Sequence, residues 1–132
     1  MGGNVGRKAT DAELEVLNIL WHRGPSTVRD VHNALTKLRN IRYTTALKTL
    51  QVMTGKCLVK RDESKMAHVY EAAVDRKETQ QLLVGDLVDK VFNGSAAGLV
   101  AGALSAKRAS PEELAKIRQL LEEAERGGGD AQ

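Results

Sequence analysis

RYTTALKTLQVMT, residues 42–54, sets the terms for the rest of the chain. On a helical wheel of about 100° per residue, Ala46, Leu47, Leu50 and Met53 share one face, which predicts a helix with that face turned inward. The opposite face collects Thr44, Thr45, Lys48, Gln51 and Val52, and the whole stretch contains no acid. A solvated helix ordinarily mixes Glu with Lys for solubility and for i to i+4 pairing. An acid-free face therefore suits an acidic partner.

Charge is distributed to match. Residues 1–74 hold 12 Lys and Arg against 7 Asp and Glu, a net of +5, whereas residues 75–132 hold 8 against 10, a net of −2. Such asymmetry points to a basic module that meets a polyanion and a second half with another task. Aromatic residues are only 3% of the chain, too few for the base-stacking platforms of single-strand and RNA binders, so duplex DNA is the favoured nucleic acid.

The chain of 132 residues, 42% apolar, is long enough for one core with an oligomerising extension. A single cysteine excludes a disulfide framework or a Cys-rich metal site. No apolar run approaches the roughly 18 residues of a membrane span, and MGGNVGRKATD lacks the apolar middle of a signal peptide, so a cytoplasmic protein without direct membrane association is expected. His22, His32 and His68 fall on separate elements without a partner at metal spacing. No nucleophile with an attendant base and no phosphate loop is visible. An enzyme, a metal and a cofactor are therefore not expected.

Outward from the opening stretch, the pattern is helical on both sides. Thr10 with Glu13 forms a capping box, and Leu14, Leu17, Leu20 and Trp21 follow at helical spacing until Gly24 and Pro25. Ser26 and Thr27 make a short extended link. Thr27 with Asp30 opens a second helix carrying Val28, Val31, Leu35 and Leu38, and a basic connection, 37–42, leads into the third. Next, Leu58 and Val59, a polar turn at 62–65, and His68, Val69 and Tyr70 read as a β-hairpin. Three helices and a hairpin make a winged helix-turn-helix over residues 10–74, mainly α with one small β hairpin.

Beyond it, Asp75 and Glu78 begin a helix with Leu83, Leu87, Val91 and Phe92. A small-residue stretch, 96–106, carries Leu99, Val100 and Leu104. Ser110, Pro111 and Glu113 start a last helix striped with Leu114, Ile117, Leu120 and Leu121. Three thin stripes cannot cover one another, so residues 75–126 are expected to be a helical dimerisation region in which Leu83, Leu87, Val91, Leu99, Leu114, Ile117 and Leu121 meet a second copy. Residues 1–9 are expected to be a flexible terminus and 127–132 a disordered tail. Glu112, Glu113, Glu122, Glu123 and Glu125 suit the solvated face of the last helix.

The runs TDAELEVLNILWHRGPSTVRDVHNAL, YTTALKTLQ, CLVKRDESKMAHVY and SPEELAKIRQLLEE resemble the penicillinase repressor family, the BlaI, MecI and CopY group. The resemblance covers residues 10 to about 125, with Leu20 to Val28 and Tyr43 to Thr45 its most specific pieces. It implies a homodimeric winged-helix repressor on an inverted-repeat operator with half-sites of the TACA/TGTA type. In the resistance members a membrane sensor metalloprotease triggers cleavage in the dimerisation region, and CopY-type members use a C-terminal cysteine cluster.

Four features depart from the pattern, one of them in the wing, where Lys65 and Met66 stand in place of the usual Gly-Arg pair before Ala-His. GGGDAQ carries no cysteine cluster, so copper sensing of that kind has no support. The Asn-Phe bond cut in the resistance members aligns near Gly102 and Ala103, where no such bond exists. The usual glycine after the third helix is Cys57, with Gly55 two residues earlier, which predicts a helix that ends a turn early, because non-glycine residues avoid positive φ.

The DNA-facing set is thus Arg42, Thr44, Thr45, Lys48, Gln51 and Lys65. Threonine can bond a phosphate or set its methyl on thymine, Lys48 can reach a guanine edge or a phosphate, and Gln51 either reads adenine or faces solvent. Arg42 and Lys65, at the rim, suit phosphate. Each also has a plainer role, as part of a solvated face. Trp21, Tyr43 and Tyr70 read as packing residues, and Cys57 as a small buried hydrophobe in preference to a redox switch. The rival to DNA binding is a protein-interaction module, since a winged helix can offer the same face to an acidic protein.

Overall fold

The computed structural model describes the backbone of residues 2–130 and the side-chain surroundings of residues 5–127. Two compact units divide the chain, residues 1–86 and 87–132. The first extends past the expected boundary at residue 74, because the opening turns of the fourth helix belong to it.

Within the first unit α1 spans Asp11–Arg23, α2 Val28–Thr36 and α3 Tyr43–Gly55. Each start has a local cause. The Thr10 hydroxyl accepts from Glu13 N–H while Thr10 N–H donates to the Glu13 carboxylate, and Thr27 and Asp30 repeat the arrangement for α2. Each box satisfies N–H groups that a helix start otherwise leaves open. Gly24, at φ 89°, ends α1 with its N–H on the Leu20 carbonyl. Helix α2 stops at Thr36, so Leu38, expected on its apolar stripe, is 64% exposed in the connection.

The wing is a three-stranded antiparallel sheet in the order β1-β3-β2: β1 Ser26–Thr27, β2 Val59–Asp62 and β3 Val69–Ala72. Ser26 lies opposite Tyr70 and Arg61 opposite Tyr70 on the other side. The short link before α2 is therefore an edge strand of the wing. Val16, Leu17 and Leu20 of α1, Val31 and Leu35 of α2, Ala46, Leu50 and Met53 of α3, and Leu58, Val59 and Tyr70 of the wing make one buried core. Trp21 packs at its margin and donates from Nε1 to the Val74 carbonyl.

Three expectations are corrected here. The segment taken as a flexible terminus forms a 3-10 helix, Gly2–Lys8. It is held from a distance. A Cβ at Gly6 would lie 2.8 Å from Thr79 Cγ2, so only glycine permits that approach, and Arg7 pairs with Asp86 at 3.0 Å. Helix α3 does not end a turn early, since Cys57 itself takes the left-handed conformation at φ 65° and is exposed, not buried. Residues 127–130, assigned to a disordered tail, continue the last helix, in which each added residue gains a hydrogen bond against a cost of about 1 kcal/mol per glycine. Residues 131 and 132 lie outside the described residues.

Helix α4 spans Arg76–Val91, α5 Ala96–Ala106 and α6 Pro111–Asp130. Asp75, Ser95 and Ser110 accept from the N–H groups of Glu78, Gly98 and Glu113 at the three starts. In the second unit Phe92 lies against Gly98 and Gly102, one turn apart on α5. No residue from 87 to 127 is buried.

Candidate nucleic-acid interface

Helix α3 presents the face that its sequence predicts. Ala46, Leu50 and Met53 are fully buried and Leu47 half-buried, while Thr44, Thr45, Lys48, Gln51 and Val52 are exposed together. Because burial fixes the inner face, the outer one is presented without freedom to rotate. Its N-cap, Arg42, is extended and its side chain makes no capping bond, while the Arg42 carbonyl accepts from Thr45 and Ala46 N–H.

A shallow hollow of about 390 Å³ runs between the first turn of α1 and α3, lined among others by Thr10, Glu13, Thr44, Thr45, Lys48 and Val52. Among the described residues Glu13 is the one acid lining it, and its carboxylate is taken by Lys56 at 2.9 and 3.1 Å. The face thus stays electrostatically open to an anion.

The cations divide into two groups. Arg7, Arg23, Arg39, Lys56 and Arg61 are in ion pairs with Asp86, Asp30, Glu15, Glu13 and Glu63. Arg42 and Lys48 form none among the described residues, and neither does Arg29. In the wing, Arg61 is committed to Glu63, and its guanidinium is held charged first by the Tyr70 hydroxyl and then by Glu63. The Asp62 carboxyl sits below its ordinary range because the Ser64 hydroxyl and N–H bond it, with Lys65 adding its charge. Lys65 is exposed in the loop between β2 and β3 and makes no contact ion pair among the described residues.

Residues absent from the sequence-based set also gather here. A cleft of about 480 Å³ opens between the wing and the starts of α2 and α3, with Arg29, Tyr43, Met66 and His68 among its lining. Tyr43, expected to pack inside, is 42% exposed, with the Arg29 guanidinium 5.9 Å over its ring and the His32 ring edge-on at 5.7 Å. Arg29 was not legible as a partner of this face, because only the fold brings α2 and the start of α3 together.

The residues predicted to join two copies are distributed over both units. Leu83 is half-buried in the first. Leu87 and Val91 stand exposed on α4 at 43% and 61%. Leu99, Ile117 and Leu121 converge on an apolar groove of about 280 Å³ between α5 and α6, which also takes in Val100, Leu104 and Leu120. Leu114 is half-buried outside it. No described helix is long and apolar enough to cross a membrane.

Comparison with known proteins points to one family. A family model described as penicillinase repressor matches residues 9–123. The transcriptional regulator BlaI of Mycobacterium tuberculosis is 35% identical over 123 residues, covering 91% of this chain and 87% of that protein. The penicillinase repressor of Bacillus licheniformis is 25% identical over 118 residues, covering 86% of this chain and 89% of that one.

Proposed function

The chain belongs to the penicillinase repressor family, and on that premise we propose that it is a DNA-binding transcriptional repressor that acts as a homodimer on an inverted-repeat operator. One observation carries the DNA-binding part: an exposed, acid-free face on α3, with Thr44, Thr45, Lys48 and Gln51 displayed by a buried inner face and the one bordering carboxylate neutralised by Lys56.

The mechanism follows from this geometry. The basic winged-helix unit is drawn to the duplex by its field, which speeds encounter. Helix α3 then enters the major groove, where Lys48 meets a guanine edge or phosphate, Thr44 and Thr45 meet phosphate and thymine methyl groups, and Gln51 meets adenine. Arg42 and Lys65 set the register on the backbone. One such unit makes too few contacts to single out a genomic site. Two copies, joined through the uncovered apolar faces of α4, α5 and α6, add their binding free energies and demand half-sites about one helical turn apart. The repressor works in the cytoplasm, where its operator lies. Separation of the copies, by cleavage in the dimerisation region or by other means, releases the DNA.

The test is a fluorescence-anisotropy titration against the duplex upstream of the protein's own gene, at two salt concentrations, with random duplex as competitor. Saturable binding that survives excess competitor and falls linearly in log K against log salt supports the reading. Binding no tighter than to random duplex overturns sequence-specific repression and favours a protein-interaction module.

A further inference from the structure

The cleft between the wing and α3 is amphiphilic. Val28, Leu47 and Met66 supply apolar wall, and Arg29, Tyr43 and His68 supply polar groups at its mouth. Arg29 is exposed yet positioned. Its guanidinium lies over the Tyr43 ring, that ring meets His32 edge-on, and His32 Nε2 is 2.8 Å from the Ile41 carbonyl oxygen. The Tyr43 ring, itself steadied through His32, thus positions a cation that pairs with no carboxylate among the described residues. A guanidinium held in this way gives up little side-chain freedom when it binds an anion.

The cleft also adjoins the recognition face, since Tyr43 and Leu47 directly precede Thr44 and Lys48 on α3. An occupant must then be anionic at one end, apolar at the other, and continuous with whatever lies against α3. A deoxyribose-phosphate unit has that character, with the sugar for the apolar wall and the phosphodiester for Arg29.

We propose that this cleft is a backbone-anchoring site, in which Arg29 binds one phosphate of the strand bordering the major groove, His68 of the wing is a second donor, and Tyr43 acts as a positioning residue for Arg29. The inference rests on the DNA-binding reading above. It adds a contact from α2 and one from the wing to those of α3, so that three elements hold one strand.

The test compares wild type with Arg29→Ala, Arg29→Lys and His68→Ala, on the upstream duplex and on a random duplex, over a series of salt concentrations. Arg29→Ala is expected to weaken both complexes by a similar factor, about five- to tenfold, and to reduce the slope of log K against log salt by about 1, with an unchanged thermal midpoint. Arg29→Lys restores the slope without the full affinity, because the point charge returns but not the planar fork. His68→Ala gives a smaller loss of the same kind. A neutral methylphosphonate at the contacted phosphate reproduces the loss in wild type and adds nothing to Arg29→Ala. Wild-type affinity and slope in Arg29→Ala overturn the proposal, as does a loss confined to the upstream duplex with the slope unchanged, which would make Arg29 a base reader. Absence of any DNA binding by wild type is a different result and overturns the repressor reading together with this one.

Discussion

Lys56 Nζ lies 2.9 and 3.1 Å from the two carboxylate oxygens of Glu13, and this pair ties the end of α3 to the first turn of α1. The Glu13 side chain is 6% exposed and that of Lys56 32%. Burial pushes the Glu13 carboxyl up, but the Lys56 hydrogen bond, the Thr10 N–H and the Lys56 charge together bring it below its ordinary 4.5. The pair therefore holds α3 against its scaffold and neutralises the carboxylate that borders the hollow beside it.

A carboxyl whose folded pKa is depressed contributes stability above its unfolded pKa and loses it as pH falls through the folded value. Wild type should accordingly lose thermal stability between about pH 5 and pH 3 more steeply than Glu13→Gln. At neutral pH, Lys56→Ala leaves a buried carboxylate without its cation and should cost about 2 kcal/mol, less than for a fully enclosed pair because Lys56 is partly solvated. Equal pH slopes in wild type and Glu13→Gln would remove the pair from the stability of the fold.

Cys57 sits at φ 65°, a conformation that costs a side-chain-bearing residue about 1–2 kcal/mol. Cys57→Gly relieves that strain and gives back part of it through a freer unfolded chain, for a net gain of about 0.5–1 kcal/mol, visible as a rise of a few degrees in Tm. Cys57→Val should destabilise. Because the thiol is exposed, it should also react stoichiometrically with a disulfide reagent in the native protein.

Lys48→Ala should weaken operator binding by about 1–3 kcal/mol if Lys48 reads a base edge, with a smaller effect on random duplex. Equal loss on both, with a shallower salt dependence, would make it a phosphate contact. The two outcomes separate by titration alone.

Leu121, 55% exposed on α6, borders the groove between α5 and α6. In a symmetric dimer one substitution acts twice, and each leucine withdrawn from an interface forfeits about 1.5–3 kcal/mol. Leu121→Glu is expected to lower the dimerisation constant by about a hundredfold or more and to lose operator binding at concentrations where wild type saturates. Sedimentation equilibrium checks the first effect, and a variant that remains a wild-type dimer would move the interface elsewhere.

A Cβ on Gly102 would stand 3.0 Å from Cζ of Phe92. Gly102→Val forces that ring out of its seat and should cost about 1–3 kcal/mol in the stability of the helical half. Phe92→Ala in the same chain should relieve the clash, so that the double variant falls short of the sum of the singles. Additive effects would show that the ring and the glycine do not interact.

Much of the fold was legible because its signals are local. Thr10, Thr27, Asp75 and Ser110 mark helix starts within three residues of themselves, and the small-residue run marks α5 at the bounds observed, 96–106. The inner face of α3 could be counted off by period alone. What was hidden depends on partners far along the chain. Gly6 reads as a flexible glycine until Thr79 packs on it, Glu13 as a mere capping acid until Lys56 arrives, and Ser26 and Thr27 as a link until Tyr70 and Val69 pair with them. Cys57 was misjudged for another reason. Its backbone is set by the turn from α3 into β2, with Leu58 N–H on the Met53 carbonyl, and that demand outweighs the residue's own preference.

No residue from 87 to 127 is buried within a single chain, and in the proposed homodimer the second molecule supplies the cover for the helical half. At low abundance the amount of dimer scales with the square of the chain concentration. Halving the supply of polypeptide then removes three quarters of the operator-competent species, and the unpaired chains left behind expose α5 and α6 to proteolysis. In that dimer occupancy and survival would decline together, so gene expression would respond to a change in synthesis more steeply than in proportion.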